Sequence, residues 1–146
     1  LHMTWGAVNE WTTQAGYARL IARAQHPVLT ELLNRIMRQE GNHIAFYAGE
    51  ASHRLADHPR ARRMVRWALR RLWRPVGAGV MPADEVAFMV QTLFGDEPGQ
   101  DMAARIDRRI DRLPGLADLR LVSGVLDRYG APVAQIGPGG PTASAA

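Results

Sequence analysis

Glu40-Gly41-Asn42-His43 sets a carboxylate and an imidazole three residues apart. On a helix, residues at that spacing project from one side. Both fall within a stripe of apolar residues: Leu29, Leu32, Leu33, Ile36, Ile44, Tyr47, Ala51 and Leu55. A carboxylate among apolar groups needs a compensating charge, and a cation held by both side chains would supply one. Glu10 occupies the same kind of position in the preceding segment, on a face shared with Ala7, Gln14, Tyr17 and Ile21. Two antiparallel helices would bring Glu10 level with Glu40 and His43. A Glu from one helix and a Glu-x-x-His from the next are half the ligand set of a carboxylate-bridged two-metal site in a four-helix bundle. Oxygen-rich ligation with one imidazole suits iron or manganese. The plainer reading of the same residues is a half-buried pair bonded to each other or to neighbouring arginines.

A second Glu-x-x-His, Glu50-Ala51-Ser52-His53, follows ten residues later. That offset turns it about 80° round the helix and moves it ~15 Å along. The two pairs cannot share one site, and Glu50 and His53 read as a solvated face. His26 and His58 each precede a proline at a helix boundary and read as loop residues. Trp11, Trp67 and Trp73 read as core or interface packing before any ligand channel. Gly77-Ala78-Gly79 lacks the Lys-Ser or Lys-Thr of a phosphate-binding loop.

The elements that must carry these residues are helical nearly throughout. Thr4 reads as the N-cap of a helix reaching about residue 24. His26-Pro27 ends it, and Pro27 suits the first turn of a second helix reaching about residue 56. Asp57-His58-Pro59 breaks the chain before a third helix over about 60–73. A Pro/Gly-rich loop over 74–82 leads to a fourth helix over 83–94, a fifth over 100–113 and a sixth over 116–129, stopped by Gly130. Residues 1–130 thus form one all-α domain of two long antiparallel helices followed by shorter ones. The tail over 131–146 is Pro, Gly, Ala and Ser and reads as disordered. The 146 residues are 47% hydrophobic and 22% charged, as one globular domain requires. The absence of cysteine excludes iron–sulfur clusters, thiolate zinc and cysteine nucleophiles. No apolar run approaches the ~20 residues of a membrane span. The start, Leu1-His2-Met3-Thr4-Trp5, lacks the pattern of a secretory signal, so a cytoplasmic location is expected.

Glu10-Trp11-Thr12-Thr13, Ala18-Arg19-Leu20 and Ile36-Met37-Arg38-Gln39-Glu40-Gly41-Asn42-His43 with Phe46-Tyr47 together resemble the second half of the soluble acyl-acyl-carrier-protein desaturases. These belong to the ferritin-like di-iron superfamily. The resemblance covers about residues 5–82, including the basic segment and Met81-Pro82. It implies the carboxy-terminal half of a ferritin-like helical bundle. It implies that Glu10, Glu40 and His43 are metal ligands in a two-iron site, and that Thr13 faces the oxygen pocket. It also implies an oxidoreductase that desaturates an acyl chain. Gln39 stands where the family often has an acid, and a neutral amide raises the basicity of a ligating imidazole less. The family's first half, with a further Glu and Glu-x-x-His, has no counterpart in this sequence. The expectation is therefore the carboxy-terminal part of a longer protein, or a short half completed by a twofold homodimer.

Every basic residue is arginine, and eight of the eighteen lie between Arg54 and Arg74. Arg63, Arg66, Arg70 and Arg74 form a stripe opposite Val65, Ala68 and Leu72. A solvated face is the plain reading. With few acids nearby, the stripe should keep a positive potential. An acidic acyl carrier protein is the partner favoured by the resemblance. Nucleic acid is disfavoured because no stacking motif or binding fold is present, and Trp67 and Trp73 keep an anionic membrane surface open. The alternative to an enzyme is a non-catalytic helical interaction module with an incomplete metal site and a basic face.

Overall fold

Helix-forming side chains at three- and four-residue spacing produce six helices in the computed structural model, which describes residues 1–129. They are α1 (His2–Ala24), α2 (Pro27–Ala56), α3 (Pro59–Leu72), α4 (Ala83–Phe94), α5 (Glu97–Asp111) and α6 (Ser123–Tyr129). Among the described residues there is no strand, and no helix is long and apolar enough to cross a membrane. Gly130 and the expected tail over 131–146 lie outside the described residues.

α1 and α2 form a long antiparallel hairpin. α4 and α5 pack on α1, α6 packs on α4 and α5, and α3 leans on the end of α2. α1 thus lies between α2 and the shorter helices. Its core side is Thr4, Val8, Trp11, Ala15 and Arg19, one every three or four residues, all buried. Thr4 is therefore not the N-cap expected from its type. It is 2% exposed, on the same side as Val8 and Trp11, and that buried face carries the helix back to His2 with Leu1 at the cap position. Arg19 is kept buried by donating to the Leu93 carbonyl at 2.8 Å and pairing with Asp96. These bonds clamp α1 to the α4–α5 junction.

Caps explain the remaining boundaries. His26 does more than fill a loop: it is the N-cap of α2, and its Nδ1 accepts from Leu29 N at 3.3 Å. Asp96 caps α5 by accepting from Gly99 N at 2.9 Å. Pro98 fits the first turn, so α5 begins at Glu97 rather than at 100. Arg62 of α3 reaches back to the Leu55 and Ala56 carbonyls and satisfies the end of α2. The expected sixth helix over 116–129 is corrected to the single stretch Ser123–Tyr129. Asp107, only 8% exposed, accepts from Val122 N and Ser123 N at 2.9 and 3.0 Å. Asp111 accepts from Asp118 N at 2.9 Å. These two carboxylates of α5 hold residues 118–122 out of helix, with Asp118 and Arg120 left-handed at φ 59° and 45°. The core that results contains Trp73, Leu69, Ile110, Leu116, Val8, Val65 and Val86, all essentially inaccessible.

Candidate metal centre

The register of the α1–α2 hairpin positions the three residues. A Cβ at Gly6 would lie 2.7 Å from Cδ1 of Tyr47, so a side chain there would push the tyrosine ring away from α1. Two turns further along α1, the Gln14 side-chain amide donates to the Met37 carbonyl at 3.5 Å. As numbers rise on α1 they fall on α2, and Glu10, midway between Gly6 and Gln14, falls opposite Glu40 and His43. One donor atom from each of the three lies within 4.8 Å of the others.

His43 Nδ1 is 3.0 Å from Glu40 Oε2. The Glu10 carboxyl lies within hydrogen-bond reach of Glu40. Burial pushes the Glu10 carboxyl above its usual range; the bond to Glu40 and repulsion by it add to this, and attraction to His43 works against it. Two carboxylates and an imidazole drawn together in this way fit a divalent cation. Such an ion needs donors about 2.0–2.2 Å from it. Among the described residues no arginine pairs with Glu10 or Glu40. Of the two plain alternatives, the mutual bond is present and the arginine bond is not.

A pH prediction follows from the raised Glu10 carboxyl. The folded chain holds that proton more tightly than the unfolded chain, so without metal its contribution favours the fold as pH falls. It is lost as pH rises through the folded value, above the usual glutamate range. With a chelator present, thermal denaturation followed from neutral pH down towards the usual glutamate range should show this gain in the native sequence. It should be smaller in Glu10→Gln, and equal slopes would contradict it.

The expectation that Glu40 and His43 sit on a covered apolar stripe is corrected in part. The His43 side chain is 60% exposed and that of Glu40 23%. Leu32 of the same stripe is 53% exposed. The short helices cover the other side of α1 and leave this side of α2 open. Glu50 pairs with Arg54 at 2.9 Å, and His53 is exposed, as a solvated face requires.

Thr13 lies one turn beyond Glu10 and lines a cavity of about 730 Å³ between α1 and α4. Its wall is almost wholly apolar, with Tyr17, Leu20, Trp73, Met81 and Phe88 among the lining residues. Sequence periodicity did not reveal this cavity, because it lies between elements far apart in the chain. Trp11 and Trp73 are core residues, whereas Trp67 is 58% exposed.

On α3 the arginine stripe divides. Arg63, Arg70 and Arg74 are exposed. Arg66 is not a free stripe member: its Nη1 donates to the Ala117 carbonyl at 2.6 Å and to that of Gly115 at 3.4 Å. The α5–α6 connection lies over α3 there. Gly115, at φ +82°, sits so close that a Cβ would be 2.7 Å from Cβ of Arg62. At ~100° per residue, Arg60, Arg63, Arg70 and Arg71 lie within about 60° of Trp67.

No family model matches the chain, and neither does a curated protein or a solved structure.

Proposed function

We propose that this chain belongs to a desaturase-like di-iron oxidoreductase acting on an acyl chain, and that it supplies half of the metal ligands. The observation that carries the reading is the convergence of Glu10, Glu40 and His43, with Thr13 one turn away on the wall of an apolar cavity. Glu10, Glu40 and His43 would hold iron, with manganese as the second choice for such donors. Bound iron supplies oxygen-dependent removal of hydrogen from an unactivated carbon. The chain's own contribution is placement. The apolar wall of Tyr17, Leu20, Met81 and Phe88 offers a surface for a hydrocarbon chain. The Thr13 hydroxyl is a polar group on that wall, one turn from Glu10. A complete site of this kind takes four carboxylates and two histidines, so the remaining ligands must come from outside a single copy of residues 1–129. Incubation of the protein with ferrous iron, a reductant, oxygen and an acyl substrate tests the reading. A new double bond or hydroxyl detected by mass spectrometry supports it. Unchanged substrate with a complete two-iron site loaded would contradict it.

The exposed arginines suit an acidic carrier protein as the donor of the acyl chain. Charge reversal at Arg63 and Arg70 should weaken that binding steeply as salt rises, with stability changed by less than about 0.5 kcal/mol. Arg66→Ala should instead cost about 1 kcal/mol, because it loses its bonds to the Ala117 and Gly115 carbonyls. Titration of the carrier at two salt concentrations, beside urea melts, separates the two effects. The second reading, a non-catalytic interaction module, is favoured by one observation: His43 is exposed and the two carboxylates beside it are only half-buried, so a bound ion would be partly solvated.

A further inference from the structure

We propose that a second copy of this chain completes the centre, and that divalent metal drives the pairing. The proposal rests on the metal-binding reading of Glu10, Glu40 and His43. Three observations lead to it. The donors border the surface, with His43 60% exposed and Glu10 and Glu40 half-buried. Apolar side chains flank them on the same side of α2: Val28 is 71%, Leu32 53% and Phe46 58% exposed. At ~100° per residue these three lie within about 60° of His43. An apolar stripe with ligands near its middle is the surface of a helix that packs against another helix. Among the described residues, no helix packs there.

The complement that this surface needs is defined by chemistry. Each chain brings two carboxylates and one imidazole. A surface that meets its own copy across a twofold axis doubles that set, so the partner brings what the site lacks. Two copies carry four carboxylates, and two divalent ions balance those four charges with both imidazoles neutral. Without metal the same four carboxylates repel across the axis, and the apolar stripe alone must overcome them. Metal therefore acts as the switch. Antiparallel approach of the two α2 helices also sets Arg35, five residues before Glu40, towards the partner's Glu50, seven residues after His43. Both are surface residues in the single chain, free to exchange partners at little cost.

Sedimentation velocity on the full chain at low micromolar concentration tests the proposal, first with a chelator and then with Mn2+, with metal content measured on the separated species. The expected result is a 16.1 kDa species under chelator. With Mn2+ the mass should double, with one metal per chain, and a chelator should reverse it. His43→Ala should remain single with metal present. Leu32→Arg, more than two helical turns from Glu40 and exposed, should keep its helical circular dichroism and fail to pair. A metal-loaded single chain would overturn this proposal and leave the metal reading standing. So would pairs that form under chelator and persist in His43→Ala. Absence of bound metal would overturn the metal reading, and the proposal with it.

Discussion

Trp73→Ala should lower the unfolding free energy by about 3–5 kcal/mol, the usual cost of emptying a buried aromatic site. Trp73 is the largest of the fully buried side chains, at 2% exposure, and it stands where α3 ends. Its Nε1 donates to the Asn9 side-chain oxygen at 3.0 Å, which ties the end of α3 to the middle of α1. Removing the ring leaves Asn9 without that donor and opens the core toward the cavity that Trp73 also lines. Domains of this size have only about 5–15 kcal/mol in total, so the variant should be near its unfolding threshold. Trp73→Phe keeps most of the packing and should lose about 1 kcal/mol for the hydrogen bond. Urea melts of the three proteins check this, and equal midpoints for Ala and Phe would contradict it.

Removing metal donors should have the opposite signature: little change in stability and a large change in binding. Glu40→Ala or His43→Ala should weaken divalent metal binding by at least about 100-fold, since even the outer partners of ligating residues are worth roughly 10–100-fold. Both side chains border solvent, so neither substitution opens a cavity. Glu40→Ala also relieves the repulsion that Glu10 feels from Glu40. Loss of the contacts of Glu40 with His43 and Glu10 works the other way, so the metal-free variant should stay within about 1 kcal/mol of the native chain. A large fall in melting temperature without metal would mean that the three residues serve the fold instead.

Much of this architecture was legible in the residues, and particular ones show why. His26-Pro27 and His58-Pro59 mark the starts of α2 and α3, because proline fits only the first turn of a helix. The three- and four-residue spacing that links Glu10 to Tyr17 and Glu40 to His43 fixes which side of each helix they share. What spacing cannot tell is whether another element covers that side, which is why His43 is more exposed than its apolar neighbours suggested. The late start of α6 was illegible for a different reason. Leu116, Leu119 and Val122 keep a helical rhythm. That rhythm is overridden by Asp107 and Asp111, whose carboxylates capture backbone N–H groups 7–16 residues away.

The close approach of α1 to α2 also lay hidden. Gly6 in a helix reads as a weak point, yet it admits the Tyr47 ring. Arg66 likewise reads as one arginine among eight, and only the fold over Gly115 and Ala117 sets it apart. The apolar cavity beside Thr13 needs α1 and α4 side by side. Residues separated by so many positions leave no periodic trace of their meeting.

Equilibrium dialysis of the full chain against ferrous iron without oxygen, and against Mn2+, tests the metal centre most directly. The native chain should bind about one ion per chain, as a half-set of a two-metal site implies. The triple variant Glu10→Gln, Glu40→Gln, His43→Ala should bind none at the same concentrations while keeping its helical circular dichroism. Equal binding by the two proteins, or none by either, would contradict the account.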